Sequence, residues 1–160
     1  MTKAWVFGDD ISTDLIIPGR YLVARTPEAL GKYALEGADP NFSKKVSKGD
    51  IVIAGKNFGC GSSREQAPVA LKGAGIKAVV AESYARIFYR NCVNQGISPL
   101  ISKGAHRGFK SGDPVNIDLE KGTIKNLRTK KTYTTEPLPP LMLEITRAGG
   151  LIPYLKKHKY

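Results

Sequence analysis

Residues 57–68, Asn57-Phe58-Gly59-Cys60-Gly61-Ser62-Ser63-Arg64-Glu65-Gln66-Ala67-Pro68, decide how this chain is read. Before them stands an apolar run, Asp50-Ile51-Val52-Ile53-Ala54, which reads as a buried strand. After them Ala67 and Val69-Ala70-Leu71 carry helical periodicity. Gly59 and Gly61 flank Cys60, so the backbone turns sharply there and leaves room for a close approach. Ser62 and Ser63 fall where a helix N-cap is expected, with Arg64 and Glu65 in the first turn. Free N–H groups, hydroxyls and a guanidinium converging on one turn suit a carboxylate or a phosphate.

Known glycine loops do not match. A Walker A loop ends in Gly-Lys-Ser/Thr, and the dinucleotide fingerprint needs a third glycine where Arg64 stands. An esterase elbow needs a glycine two places after its serine, and neither Ser62 nor Ser63 has one. The plain alternative is a serine-capped strand-to-helix turn, but a cap uses only one of these polar groups.

Working outward, residues 4–7 read as a first strand, and Thr26-Pro27 opens a helix through Ala34, with Thr26 as N-cap. Residues 77–81 form a third strand, residues 84–94 a helix closed by Gly96, and residues 97–101 a further strand. This alternation of strands and helices predicts a layered α/β arrangement with parallel pairing. Beyond Gly112, residues 114–119, 123–126 and 131–135 read as a meander. A helix over 139–148 follows, ended by Gly149-Gly150, and residues 151–157 add one more short turn or helix.

At 160 residues the chain reads as one domain spanning 1–160. No apolar run reaches the length of a membrane span, and residues 1–10 do not suit a signal peptide; the cytoplasm is expected. Cys60 and Cys92 read as free thiols, Cys92 on a helix packed into the core. His106 and His158 lie among Lys and Arg and are expected to be solvated. Asp9, Asp10 and Asp14 lack calcium-loop spacing and are expected to brace loops. Arg86 and Arg90, one helical turn apart, either form salt bridges or line the anion site. The net charge of +11 is spread along the chain, which favours a solvated basic face over a nucleic-acid-binding domain, the alternative of a different class.

Three blocks together, residues 8–14, 57–68 and 83–94, resemble the small subunits of 3-isopropylmalate dehydratase, the swivelling-domain partners of the aconitase superfamily. The resemblance runs over nearly the whole chain and implies a layered β/β/α swivelling domain. It implies a hydro-lyase subunit, active only with a large subunit that carries a [4Fe–4S] cluster, in a heterodimer or heterotetramer; this chain would bind no metal itself. By the same resemblance Ser62 is the catalytic base, as an alkoxide, while Ser63 and Arg64 bind substrate carboxylate. Substrate choice is implied to lie in Tyr21-Leu22-Val23-Ala24-Arg25, where chains of the homoaconitase type carry arginine in place of Val23. A valine suits an isopropyl group, which favours 2- and 3-isopropylmalate, interconverted through 2-isopropylmaleate in leucine biosynthesis. Arg25 keeps a homoaconitase or citraconate hydratase subunit open as the enzyme alternative.

Overall fold

The computed structural model describes residues 1–158. Strands β1 (Ala4–Val6), β2 (Ile51–Ile53), β3 (Ala78–Ala81) and β4 (Ser98–Ile101) pair in that order, all parallel. The continuous apolar runs of β2 and β3 follow from burial on both faces, and their successive residues divide strictly between them. Val52, Val79 and Ala81 point into a core shared with the helices, against Phe42, Leu71, Phe88 and Cys92. Ile51, Ile53, Ala78, Val80 and Leu100 point the other way, against Phe109, Val115 and Ile124. That second layer is an antiparallel meander, β5 (Val115–Asp118), β6 (Thr123–Asn126) and β7 (Thr132–Thr134). The expected β/β/α layering is therefore present.

The helical layer contains α1 (Thr13–Ile16), α2 (Pro27–Gly31), α3 (Phe42–Lys45), α4 (Gln66–Gly73) and α5 (Arg86–Asn94). Helices α6 (Pro140–Arg147) and α7 (Leu151–Lys157) follow the meander. Thr26 caps α2 as expected, its Oγ1 accepting from the Ala29 N–H at 3.1 Å. The helix stops at Gly31 instead of Ala34. The N–H groups of Leu35 and Gly37 donate instead to the Ile16 and Leu15 carbonyls of α1.

Two other expectations are corrected. Helix α4 starts at Gln66 with Glu65 as its flanking residue and no side-chain cap, so Ser62 and Ser63 do not cap it. His106 is not solvated: its side chain is 19% exposed and lies 3.6 Å from Glu82 Oε1. The short 3-10 turn at Ala105–Gly108 buries Ala105 in the second core, and that draws His106 inward. Its Nδ1 is buried and makes no hydrogen bond among the described residues. His158, by contrast, is exposed.

Candidate active site

Residues 58–60 bridge two loops. The Phe58 N–H donates to the Ser83 carbonyl at 3.0 Å and the Ala85 N–H to the Phe58 carbonyl at 3.0 Å. On the other side the Gly59 N–H donates to Ile11 at 2.7 Å and the Thr13 N–H to Cys60 at 2.8 Å. The three sequence blocks are thereby stitched into one surface. Gly59 has φ +81° and Gly61 φ +92°, conformations that favour glycine. Gly59 also lies so close to the Phe88 ring that any side chain would overlap it.

A cleft of about 200 Å³ opens beside this turn, bordered by Thr13, Ser63, Arg64, Arg86, Ile87 and Asn91 among others. Arg64 is the anchor. Its guanidinium donates to the Ile17 carbonyl at 3.1 Å and forms an ion pair with Asp14. Its side chain remains 22% exposed, which leaves part of the fork for a ligand. Ser62 and Ser63 are exposed, and neither hydroxyl is hydrogen-bonded among the described residues. Ser63 borders the cleft and Ser62 does not; the Ser62 carbonyl accepts from Thr13 Oγ1 at 2.7 Å.

Of the other expected residues, Arg86 borders the cleft and Arg90 does not; both border a separate groove with Tyr89 and Met142. Neither arginine forms an ion pair among the described residues. Asp9 and Asp10 brace as expected, Asp9 accepting from the Lys56 N–H at 2.7 Å and Asp10 from Asn57 Nδ2 at 3.0 Å. Tyr84 is structural: its hydroxyl lies 2.8 Å from the Val79 carbonyl and 2.7 Å from that of Leu100, and burial pushes its pKa well up. Residues 21–25 do not border the cleft. Tyr21 stacks on Tyr33 and donates to Glu36 at 2.6 Å, and Val23 is 86% exposed.

Sequence reasoning missed Asn91 and Ile87. The signal was their spacing, which puts both on one face of α5 a turn apart. A [4Fe–4S] cluster does not fit this chain's own thiols. Cys92 is fully buried in the apolar core, which pushes its thiol pKa well up, and that leaves only the half-buried Cys60 near the turn.

A layered β/β/α domain with a Gly-Cys-Gly-Ser-Ser-Arg turn at a cleft is the class this geometry defines, and the family model for the Aconitase C-terminal domain matches residues 28–105. A 3-isopropylmalate dehydratase small subunit of Aliarcobacter butzleri is 56% identical over 154 residues, covering 96% of this chain and 92% of that protein. The isopropylmalate/citramalate isomerase small subunit of Methanocaldococcus jannaschii is 54% identical, covering 97% and 92% respectively. A crystal structure of 3-isopropylmalate dehydratase from that organism superposes with a TM-score of 0.93 at 51% identity, covering 99% of this chain and 93% of that one. This chain belongs to the family of 3-isopropylmalate dehydratase small subunits, hydro-lyase subunits of the aconitase superfamily. The nucleic-acid-binding alternative has no counterpart among these relatives.

Proposed function

We propose that this chain, as a single swivelling domain, supplies the base and the carboxylate-binding groups for interconversion of 2- and 3-isopropylmalate. The observation that carries the reading is the Arg64 fork, part-exposed on the cleft beside two unbonded serine hydroxyls. Arg64 and Ser63 hold a substrate carboxylate. Ser62 Oγ, as the alkoxide, takes the proton from a C–H carbon. The C–H electron pair becomes the double bond of 2-isopropylmaleate, and hydroxide leaves the neighbouring carbon. Rehydration in the opposite sense gives the isomer.

A serine hydroxyl needs its charged form favoured. Helix α4 begins at Gln66, so its dipole is spent before Ser62, because that influence falls off within one turn. The free N–H groups of the turn and the Arg64 guanidinium are what remain to stabilise the alkoxide. The [4Fe–4S] cluster belongs in this proposal to a large subunit and supplies Lewis-acid binding of the departing hydroxyl. The assembly is a heterodimer or heterotetramer in the cytoplasm.

Val23, solvent-exposed here, is positioned in this proposal to meet the isopropyl group when the two subunits close. The double name of the Methanocaldococcus relative supports assaying citramalate beside isopropylmalate. The test is anaerobic reconstitution with the large subunit and 3-isopropylmalate, following 2-isopropylmaleate by its absorbance. Wild-type chain gives turnover only with its partner, and Ser62→Ala lowers kcat by at least about 1,000-fold. Turnover by the isolated chain, or a Ser62→Ala holoenzyme at the wild-type rate, would overturn the proposal.

A further inference from the structure

We infer that Thr13 is a positioning residue for the reaction: it fixes the Ser62–Ser63 peptide and so sets the direction of the Ser62 side chain. The inference rests on the reading of Ser62 as the base. Thr13 is the first residue of α1, is only 2% exposed, and borders the cleft. It holds the glycine turn at two alternate carbonyls. Its N–H donates to Cys60 at 2.8 Å and its Oγ1 to Ser62 at 2.7 Å. Gly61 lies between these anchors at φ +92°, the most permissive point of the turn.

Residues 61–63 are exposed, and among the described residues their one hydrogen bond is the one that the Thr13 hydroxyl donates to the Ser62 carbonyl. Without it, rotation about Gly61 would let the serines wander while Cys60 stayed in place. A trans peptide points its C=O and N–H in opposite directions. Drawing the Ser62 carbonyl onto Thr13 therefore turns the Ser63 N–H away from Thr13, free to donate elsewhere. With the Cys60 carbonyl held on the other side of Gly61, that plane narrows the directions open to the Ser62 Cα–Cβ bond. Thr13 itself is held by Ser12, whose Oγ accepts from the Leu15 N–H at 3.2 Å and pins the start of α1.

A merely structural threonine would satisfy its own buried hydroxyl and nothing more. The two roles separate in the holoenzyme reconstituted with its large subunit and assayed with 3-isopropylmalate. Thr13→Val keeps the shape and removes the donor. It is expected to lower kcat roughly 10- to 100-fold, as a misplacement of about 1 Å does, with KM within about twofold of wild type. Thr13→Ser restores the donor and the rate. In a Ser62→Ala background, Thr13→Val produces no further loss, because there is no base left to position. Thr13→Ala replaces Thr13→Val where the added methyl disturbs assembly.

A wild-type kcat in Thr13→Val, a loss that Thr13→Ser fails to restore, or an equal fractional loss in the Ser62→Ala background would each overturn the inference. An inactive Ser62→Ala beside a fully active Thr13→Val overturns this inference alone. A fully active Ser62→Ala overturns the reading of Ser62 and this inference with it.

Discussion

Gly59→Ala should damage this protein far more than the same change two residues on. An added Cβ at Gly59 would sit 2.5 Å from Phe88 Cβ and 2.6 Å from Cδ1, with Cγ closer still. Ordinary carbon contacts lie at about 3.5–4.0 Å, so the ring would have to move by roughly 1 Å or more. It has little freedom to do so: Phe88 is buried, and its ring packs edge-on against Phe58 at 5.3 Å between centroids. Overpacking of this kind costs about 1–3 kcal/mol. The φ of +81° adds about 1–2 kcal/mol for any L side chain. Together these give about 2–5 kcal/mol, which for a chain of this size lowers Tm by roughly 5–20 °C. Gly61→Ala is the control. Its φ is +92°, but its nearest neighbours would lie at 3.6 and 3.7 Å, an ordinary contact. Only the backbone penalty remains, about 1–2 kcal/mol, or roughly 2–8 °C. Differential scanning calorimetry of the three chains decides the matter. If Gly59→Ala melts within about 2 °C of Gly61→Ala, the packing argument is wrong, since each 1 kcal/mol should move Tm by about that much.

Asp113 gives the acid limb of stability. Hydrogen bonding from the Arg128 guanidinium, at 2.6 and 3.0 Å, outweighs burial and lowers its pKa from 3.8 to about 2. The folded carboxyl is thus the stronger acid, so its contribution is complete above about pH 4 and lost as pH falls towards 2. With Arg128 about half exposed, that contribution is about 1–2 kcal/mol, and Asp113→Asn should remove it from urea melts at pH 7 while costing much less at pH 2, where about half of the folded carboxyl is already protonated. Arg64→Lys replaces a planar fork by a point charge, so KM for isopropylmalate should rise roughly 10- to 100-fold with little change in Tm; an unchanged KM would remove Arg64 from carboxylate binding. Val23→Arg, at a position 86% exposed, should leave folding intact and shift kcat/KM towards tricarboxylic substrates by about tenfold or more. An unmoved specificity ratio in competition assays would show that Val23 does not read the substrate.

The sequence by itself determined the order of the layers and the glycine turn beside which the cleft opens. Runs such as residues 51–53 and 78–81 are apolar throughout because both sides of the parallel sheet are covered, and the alternation in residues 114–119 marks the meander. Thr26-Pro27, Gly96 and Gly149-Gly150 are local stop and start signals, legible because capping is decided within a few residues. The Gly-Cys-Gly-Ser-Ser-Arg turn was visible for the same reason. Only the tertiary structure decided which of its groups share a cleft. It set the start of α4 beyond the serines, paired Arg64 with Asp14 and Ile17, put Thr13 under the Ser62 carbonyl and drew His106 in against Glu82. The last three are contacts between residues far apart in the chain, fixed by how α1, the glycine turn and the β3–α5 loop pack. Periodicity and turn chemistry report which face of an element is buried and where it ends. They carry no information about which distant polar group meets it there.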